Sequence, residues 1–300
     1  HGTKHSFPTR RSSDLGMAAG GMRPAVCIYS TFLQRAMDQL VHDMAMQKLP
    51  VLLGVDRAGL VGEDGETHHG LLDMSWCRSV PNVTVAAPRD ETDLQFFFSQ
   101  GFSQEGPVVV RYPRGNAPAR LARKEGELPL PWGKGEVLGE GEGTVLVGIG
   151  STLPLALEAR QVCADTGLPL PGVADLRFVK PLDEAFLKDL AEKYEKILVL
   201  EEGNLAGGLG ELVAALLQKK EFPCHVFSLG VPDRFIPQGT RQEQWEECDL
   251  TVQRVVELIR GEEKERASRY ASDLSKSGRI KEPSEGAHPG RKGFCGRAAC

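Results

Sequence analysis

PAVCIYSTFLQRAMDQLVHDMAMQKLPVLLGVD, residues 24–56, holds the fold in miniature. AVCIY at 25–29 is a short apolar run with Val, Ile and Tyr, residue types that suit a pleated, half-buried surface, and it reads as a strand. From Phe32 the period changes. Phe32, Ala36, Leu40 and Met44 recur every four residues, which places them on one face of an amphipathic helix. PVLLGV at 50–55 is again continuously apolar, as expected of a strand covered on both faces. A strand, a helix and a second strand in this order make the unit of a parallel sheet, because parallel neighbours need a crossover long enough to hold a helix.

The pattern continues outward. VTVAA at 83–87 and PVVVRY at 107–112 are further strands, and DETDLQFFFSQGF at 90–102 between them begins with carboxylates that suit the positive end of a helix dipole. PRGNAPARLARKEGELPLPWGK at 113–134, rich in Pro, Gly and charge, breaks the alternation and reads as a linker. Strands then resume at TVLVGIG (144–150), GVADLR (172–177), KILVLEE (196–202) and CHVFSLG (224–230). Helices are expected from about Leu153, Asp183 and Leu209, and TVQRVVELIR closes the pattern at Arg260. The expected fold is α/β, with two domains that each hold a mainly parallel sheet flanked by helices: residues 16–118, a linker at 119–134, and residues 135–260. HGTKHSFPTRRSSDL at the start lacks apolar periodicity and resembles a translated sequencing adapter, so residues 1–15 read as a non-native or disordered leader. Residues 261–300 are polar and rich in Gly and Ser, and read as a disordered tail.

Composition removes several function classes. Within the net charge of −5, residues 16–260 carry 24 basic against 34 acidic side chains, which argues against nucleic acid as a partner. No apolar run reaches the roughly 18 residues a membrane span needs, and no secretory signal is apparent, so a cytoplasmic location is expected. Seven scattered cysteines without a CxxC pair read as buried thiols, and zinc-ligand spacing is absent.

DRAGLVGEDGETHHG at 56–70 follows the PVLLGV strand, where open parallel sheets place their ligand loops. It gathers Arg57, Asp64, His68 and His69 among four glycines: an anion binder, a carboxylate and candidates for proton transfer. Composition alone favours a solvated loop. GIGS at 148–151 and GNLAGGLGE at 203–211 lack the glycine fingerprint of a dinucleotide or phosphate loop and read as strand-to-helix turns.

IYSTFLQRA (28–36), DRAG with THHG, RYPRGN (111–116), RFVKPLD (177–183) and GVPDRFIPQGT (230–240), in this order and spacing, resemble the 1-deoxy-D-xylulose-5-phosphate synthases of the transketolase superfamily. The resemblance covers residues 16 to about 260 and implies a pyrimidine-binding domain followed by a transketolase C-terminal domain. It implies condensation of pyruvate with glyceraldehyde 3-phosphate, with loss of carbon dioxide, by a homodimer using thiamine diphosphate and Mg2+. The product would feed isoprenoid, thiamine and pyridoxal synthesis. Residue by residue, it implies that Phe32 stacks on the aminopyrimidine, that Tyr29, Arg35, Arg57 and Arg114 surround the acceptor, and that Asp64 and His68 hold and protonate the intermediate. His69 is expected only to shape the loop. Two parts of that machinery are not seen: the GDG motif with its later Asn, which binds diphosphate and metal, and the glutamate that activates the pyrimidine. GEDGE at 62–66 is not that motif, so no metal ligands are expected, and the chain alone is expected to be inactive. Two alternatives remain open at this point. One is the pyrimidine-domain subunit of a split transketolase or two-chain 2-oxoacid dehydrogenase, and the other is a non-catalytic α/β dimerisation module.

Overall fold

A computed structural model describes residues 7–117, 121 and 131–261. The expected tail at 262–300, most of the expected linker and residues 1–6 lie outside the described residues. Helix α1 (Phe7–Ala19) overlaps the expected leader, and Leu15 and Ala18 pack on the core. Its sequence shows no amphipathic period, which is why it did not read as a helix.

Strands β1 (Ala25–Tyr29), β2 (Leu52–Asp56), β3 (Thr84–Ala86) and β4 (Val108–Arg111) form a parallel sheet in the order β1-β2-β4-β3. β2 and β4 are buried along nearly their whole length, the burial that their continuous apolar runs demand. Helix α3 (Asp73–Ser79) precedes β3. Helix α4 (Glu91–Gly101) connects β3 to β4, capped by Asp90, whose carboxylate accepts from the Asp93 N–H at 2.8 Å.

The second sheet repeats the plan. β5 (Glu136–Gly139), β6 (Thr144–Gly148), β7 (Gly172–Asp175), β9 (Lys196–Asn204) and β10 (His225–Val231) lie in the order β10-β9-β6-β7-β5, with only β5 antiparallel. Helices α5 (Leu153–Thr166), α6 (Glu184–Lys193) and α7 (Leu209–Lys219) make the crossovers, and α8 (Arg241–Glu247) and α9 (Val252–Arg260) follow.

Two features depart from the sequence reading. The expected helix from Phe32 starts at Ser30 as α2 (Ser30–Leu33), tightens to a 3-10 turn at Gln34–Ala36 and widens to a π-helical segment at Gln39–Ala45. The tight 3-10 turn sets Leu33 in line with Ala36, and Leu40 and Met44 carry that face on into the core, so Phe32 is only half-buried. The second departure is β8 (Phe178–Lys180), which leaves the second layer and joins the first sheet antiparallel to β3. Its Phe178 packs edge-on to Phe97, with centroids 5.0 Å apart.

Beside this junction lies a buried ion cluster. The Arg89 guanidinium reaches Glu136 at 2.6 Å and Asp175 at 3.4 Å, and Arg177 reaches Asp93 at 3.5 Å. Burial, reinforced by the Asp93 charge and opposed by Arg89, pushes the Asp175 carboxyl up to about 7.

Candidate functional site

The carboxyl ends of β1, β2 and β4 point toward one corner, and each delivers its residues there. Tyr29 ends β1, and Phe32 sits on the short helix that follows. Asp56 ends β2 and opens the 56–70 loop, while Arg111 ends β4, three residues before Arg114. The loop is clamped at its base by paired backbone bonds between Gly59 and Gly70, at 2.7 and 2.8 Å. A Cβ on Gly70 would overlap Ser30 and the Arg57 carbonyl, so only glycine fits there. Arg57 occupies left-handed backbone at φ 55°, and Asp56 offsets that strain by accepting from the Arg57 N–H at 2.6 Å and from its guanidinium at 2.9 Å.

Six of the seven residues named from the sequence form one chain of contacts. Tyr29 and Phe32 stack with ring centroids 5.5 Å apart and planes at 15°. The Arg57 guanidinium lies over the Tyr29 ring at 3.8 Å, and the His68 ring meets Phe32 edge-on at 5.7 Å. Asp64 accepts from Arg114 at 2.9 Å and stands 3.9 Å from Arg57 Nε. Thr67 Oγ1 engages His68 Nδ1 at 2.8 Å. Arg35 stands apart: it is exposed on the 3-10 turn, and among the described residues it has no ion pair or hydrogen bond.

Behind this corner opens a cavity of about 750 Å3, lined by Asp56, Arg57, Tyr112 and Arg114 on one side and by Ser151 and Arg241 from the second layer on the other. Burial, with help from the Asp56 charge, pushes the Tyr112 phenol up to about 12, so it remains a donor at neutral pH.

Several structuring residues escaped the sequence reading. Arg111 is buried, its Nε 3.1 Å from both oxygens of Asp73 and its Nη2 donating to the Glu202 carbonyl at 3.0 Å. Ser30 Oγ donates to the same Asp73 at 3.0 Å. His69 Nδ1 accepts from the Val61 N–H at 3.2 Å, so the ring proton sits on Nε2 and is donated to the Ile236 carbonyl at 3.0 Å. Burial lowers the His69 pKa, which keeps that imidazole neutral. These two bonds tie the 56–70 loop to the Ile236 segment. Glu201 and Glu202 lie in the last half of β9. Glu201 accepts from the first amides of α7, Leu209 at 2.7 Å and Gly210 at 2.9 Å, so the helix end after GNLAGG is already filled by the chain's own carboxylate. Two adjacent carboxylates ending an apolar strand, LEE in KILVLEE, were the available signal.

The cysteine reading needs one correction. Cys77, Cys163 and Cys248 are buried and Cys224 is half-buried, but Cys27 is exposed, because β1 is the edge of its sheet and one of its faces is uncovered. No helix among the described residues is long and apolar enough to cross a membrane.

Comparison with known proteins agrees with this architecture. The transketolase pyrimidine-binding domain family matches residues 12–120, and the transketolase C-terminal domain family matches residues 133–255. The chain is 44% identical over 258 residues to a 1-deoxy-D-xylulose-5-phosphate synthase from Thioalkalivibrio sulfidiphilus, covering 86% of this chain and 39% of that protein. It is 46% identical over 230 residues to one from Nitratidesulfovibrio vulgaris, covering 76% of this chain and 36% of that protein. The chain thus spans about two fifths of the length of these relatives. Among solved structures, a split-gene transketolase in an inactive β4 tetramer superposes with a TM-score of 0.76 at 27% identity, covering 86% of this chain and 82% of that one. A Campylobacter jejuni transketolase shares the fold, with a TM-score of 0.64 at 20% identity over 79% of this chain and 35% of that one.

Proposed function

The chain belongs to the transketolase family, and from that premise we propose that it supplies the pyrimidine and acceptor-substrate side of a 1-deoxy-D-xylulose-5-phosphate synthase active site. The parent reaction joins pyruvate to glyceraldehyde 3-phosphate with loss of carbon dioxide. One observation supports this reading above the rest: the Tyr29, Phe32 and His68 rings stand beside the Arg57–Asp64–Arg114 cluster, and both of its arginines line one cavity.

The residues fit one end of thiamine diphosphate. Phe32, half-buried and braced by Tyr29 and His68, offers a flat ring of the kind that stacks an aminopyrimidine. Among the described residues no three His, Cys, Asp or Glu side chains stand together as ligands for Mg2+. When bound, the cofactor supplies the carbanion chemistry. Arg57 and Arg114 are the phosphate ligands of the acceptor, because planar guanidinium groups bind a dianion through paired, charge-assisted bonds. Asp64 holds both in register, and Tyr29 supports Arg57 from below. Thr67 occupies His68 Nδ1, so Nε2 is the nitrogen that exchanges a proton with the reacting oxygen. Arg35 would join the site only through a rearrangement of its turn.

The test is complementation. The chain alone turns over no pyruvate, and adding a separately expressed amino-terminal half of a synthase restores product formation dependent on glyceraldehyde 3-phosphate and Mg2+. Activity from the chain alone would overturn the assignment. The likeness to the split-gene transketolase favours a second reading, a subunit whose natural partner is another polypeptide. Restoration by a transketolase amino-terminal subunit, with a ketose phosphate as donor and no use of pyruvate, would select it.

A further inference from the structure

We propose that Glu202 is a positioning residue that sets the acceptor site from the second layer; the role builds on the acceptor-site reading above. Its side chain is fully buried in the last half of β9, and five donors converge on its carboxylate. Oε1 accepts from the Leu60 backbone N–H at 3.0 Å, the Trp245 indole N–H at 2.9 Å and Arg241 Nε at 3.3 Å. Oε2 accepts from Ser151 Oγ at 2.5 Å and Arg241 Nη2 at 2.6 Å. Four of these donors belong to the second layer and fix the carboxylate in place, while the fifth is in the 56–70 loop. The contact is close as well as polar, because any Cβ on Gly59 would overlap the Glu202 carboxyl group.

A buried carboxylate with five donors has one stable position, since losing any partner leaves a charge unsatisfied in a poor solvent. Leu60 is therefore held from the far side, three residues from Arg57 and four from Asp64. Glu202 touches no reacting atom. It acts through the loop backbone, and the same carboxylate orders Arg241 and Ser151 on the opposite wall of the cavity.

The test pairs a ligand-free measurement with a ligand titration on the full chain carrying Glu202→Gln. Amide hydrogen exchange across residues 57–64 is expected to speed about tenfold while β2 and β9 stay protected, the response to losing one charge-assisted anchor. Affinity for glyceraldehyde 3-phosphate by calorimetry is expected to fall about tenfold. If the unaltered chain fails to bind glyceraldehyde 3-phosphate, the acceptor reading fails, and the exchange result still decides whether Glu202 holds the loop. Unchanged exchange at 57–64, or unchanged affinity in a chain that does bind, overturns the role, and so does a fall in Tm with neither change. Should Glu202→Gln not fold, Ser151→Ala removes a single donor and is expected to give about a threefold change in both readouts.

Discussion

The RYPRGN segment holds two arginines three residues apart, and the structure assigns them opposite duties that a double-mutant cycle separates. Arg111 and Asp73 are 3% and 1% exposed at the side chain. Among the described residues, removing Arg111 leaves Asp73 with the Ser30 hydroxyl and the Met74 N–H, and removing Asp73 leaves the Arg111 guanidinium with the Glu202 carbonyl. Each single change strands a buried charge, so Arg111→Leu and Asp73→Ala should each cost about 3–5 kcal/mol. The pair of changes together strands none. The double variant should therefore fall short of the sum by about 2 kcal/mol or more. Arg114 pairs with Asp64 at side-chain exposures of 47% and 35%, and solvent screens that pair, so Arg114→Leu should cost under about 1 kcal/mol. Urea titration followed by circular dichroism, at fixed protein concentration and pH 7, measures all four. Additivity of the Arg111 and Asp73 effects to within about 0.5 kcal/mol would refute the argument, as would a large cost at Arg114.

Two further outcomes follow from the site and the ion cluster. If Arg57 and Arg114 bind the acceptor as proposed, Arg57→Met and Arg114→Met should each weaken glyceraldehyde 3-phosphate binding by about tenfold in calorimetry while Tm barely moves, because neither group belongs to the core. The Asp175 carboxyl, raised from 3.8 to about 7 by burial, binds its proton more tightly folded than unfolded. That stabilisation is fully present below pH 3.8 and is lost as pH rises through about 7. Asp175→Asn should therefore flatten the decline in unfolding free energy between pH 5 and 7, by up to about 1.4 kcal/mol per pH unit, and an unchanged slope would exclude Asp175 as its source.

The strand-helix-strand order was legible because apolar runs and four-residue spacing are properties of the chain itself. β8 was not, since three residues carry no period and Phe178 joins the first sheet through a tertiary contact with Phe97. The 3-10 turn at Gln34–Ala36 displaced the expected core residue by one, from Phe32 to Leu33, and left Phe32 half-buried beside Tyr29 and His68. The contact chain around Asp64 followed from motifs whose residues lie far apart in sequence. Which arginine of RYPRGN is buried did not, because only Asp73 and the Glu202 carbonyl decide it. Glu202 was hidden for a related reason: an acidic residue near a strand end looks like a solvated one until its donors arrive from three other segments.

The amino end of α7 is occupied by the Glu201 carboxyl group, which takes the Leu209 and Gly210 amides and which burial pushes up to about 7, so the anion that helix end favours is the chain's own and grows with rising pH. The Leu209 and Gly210 amides are therefore not open to phosphate in the medium. Under the proposed function a phosphate ester added to the protein would report on Arg57 and Arg114, with an expected stoichiometry of one per chain.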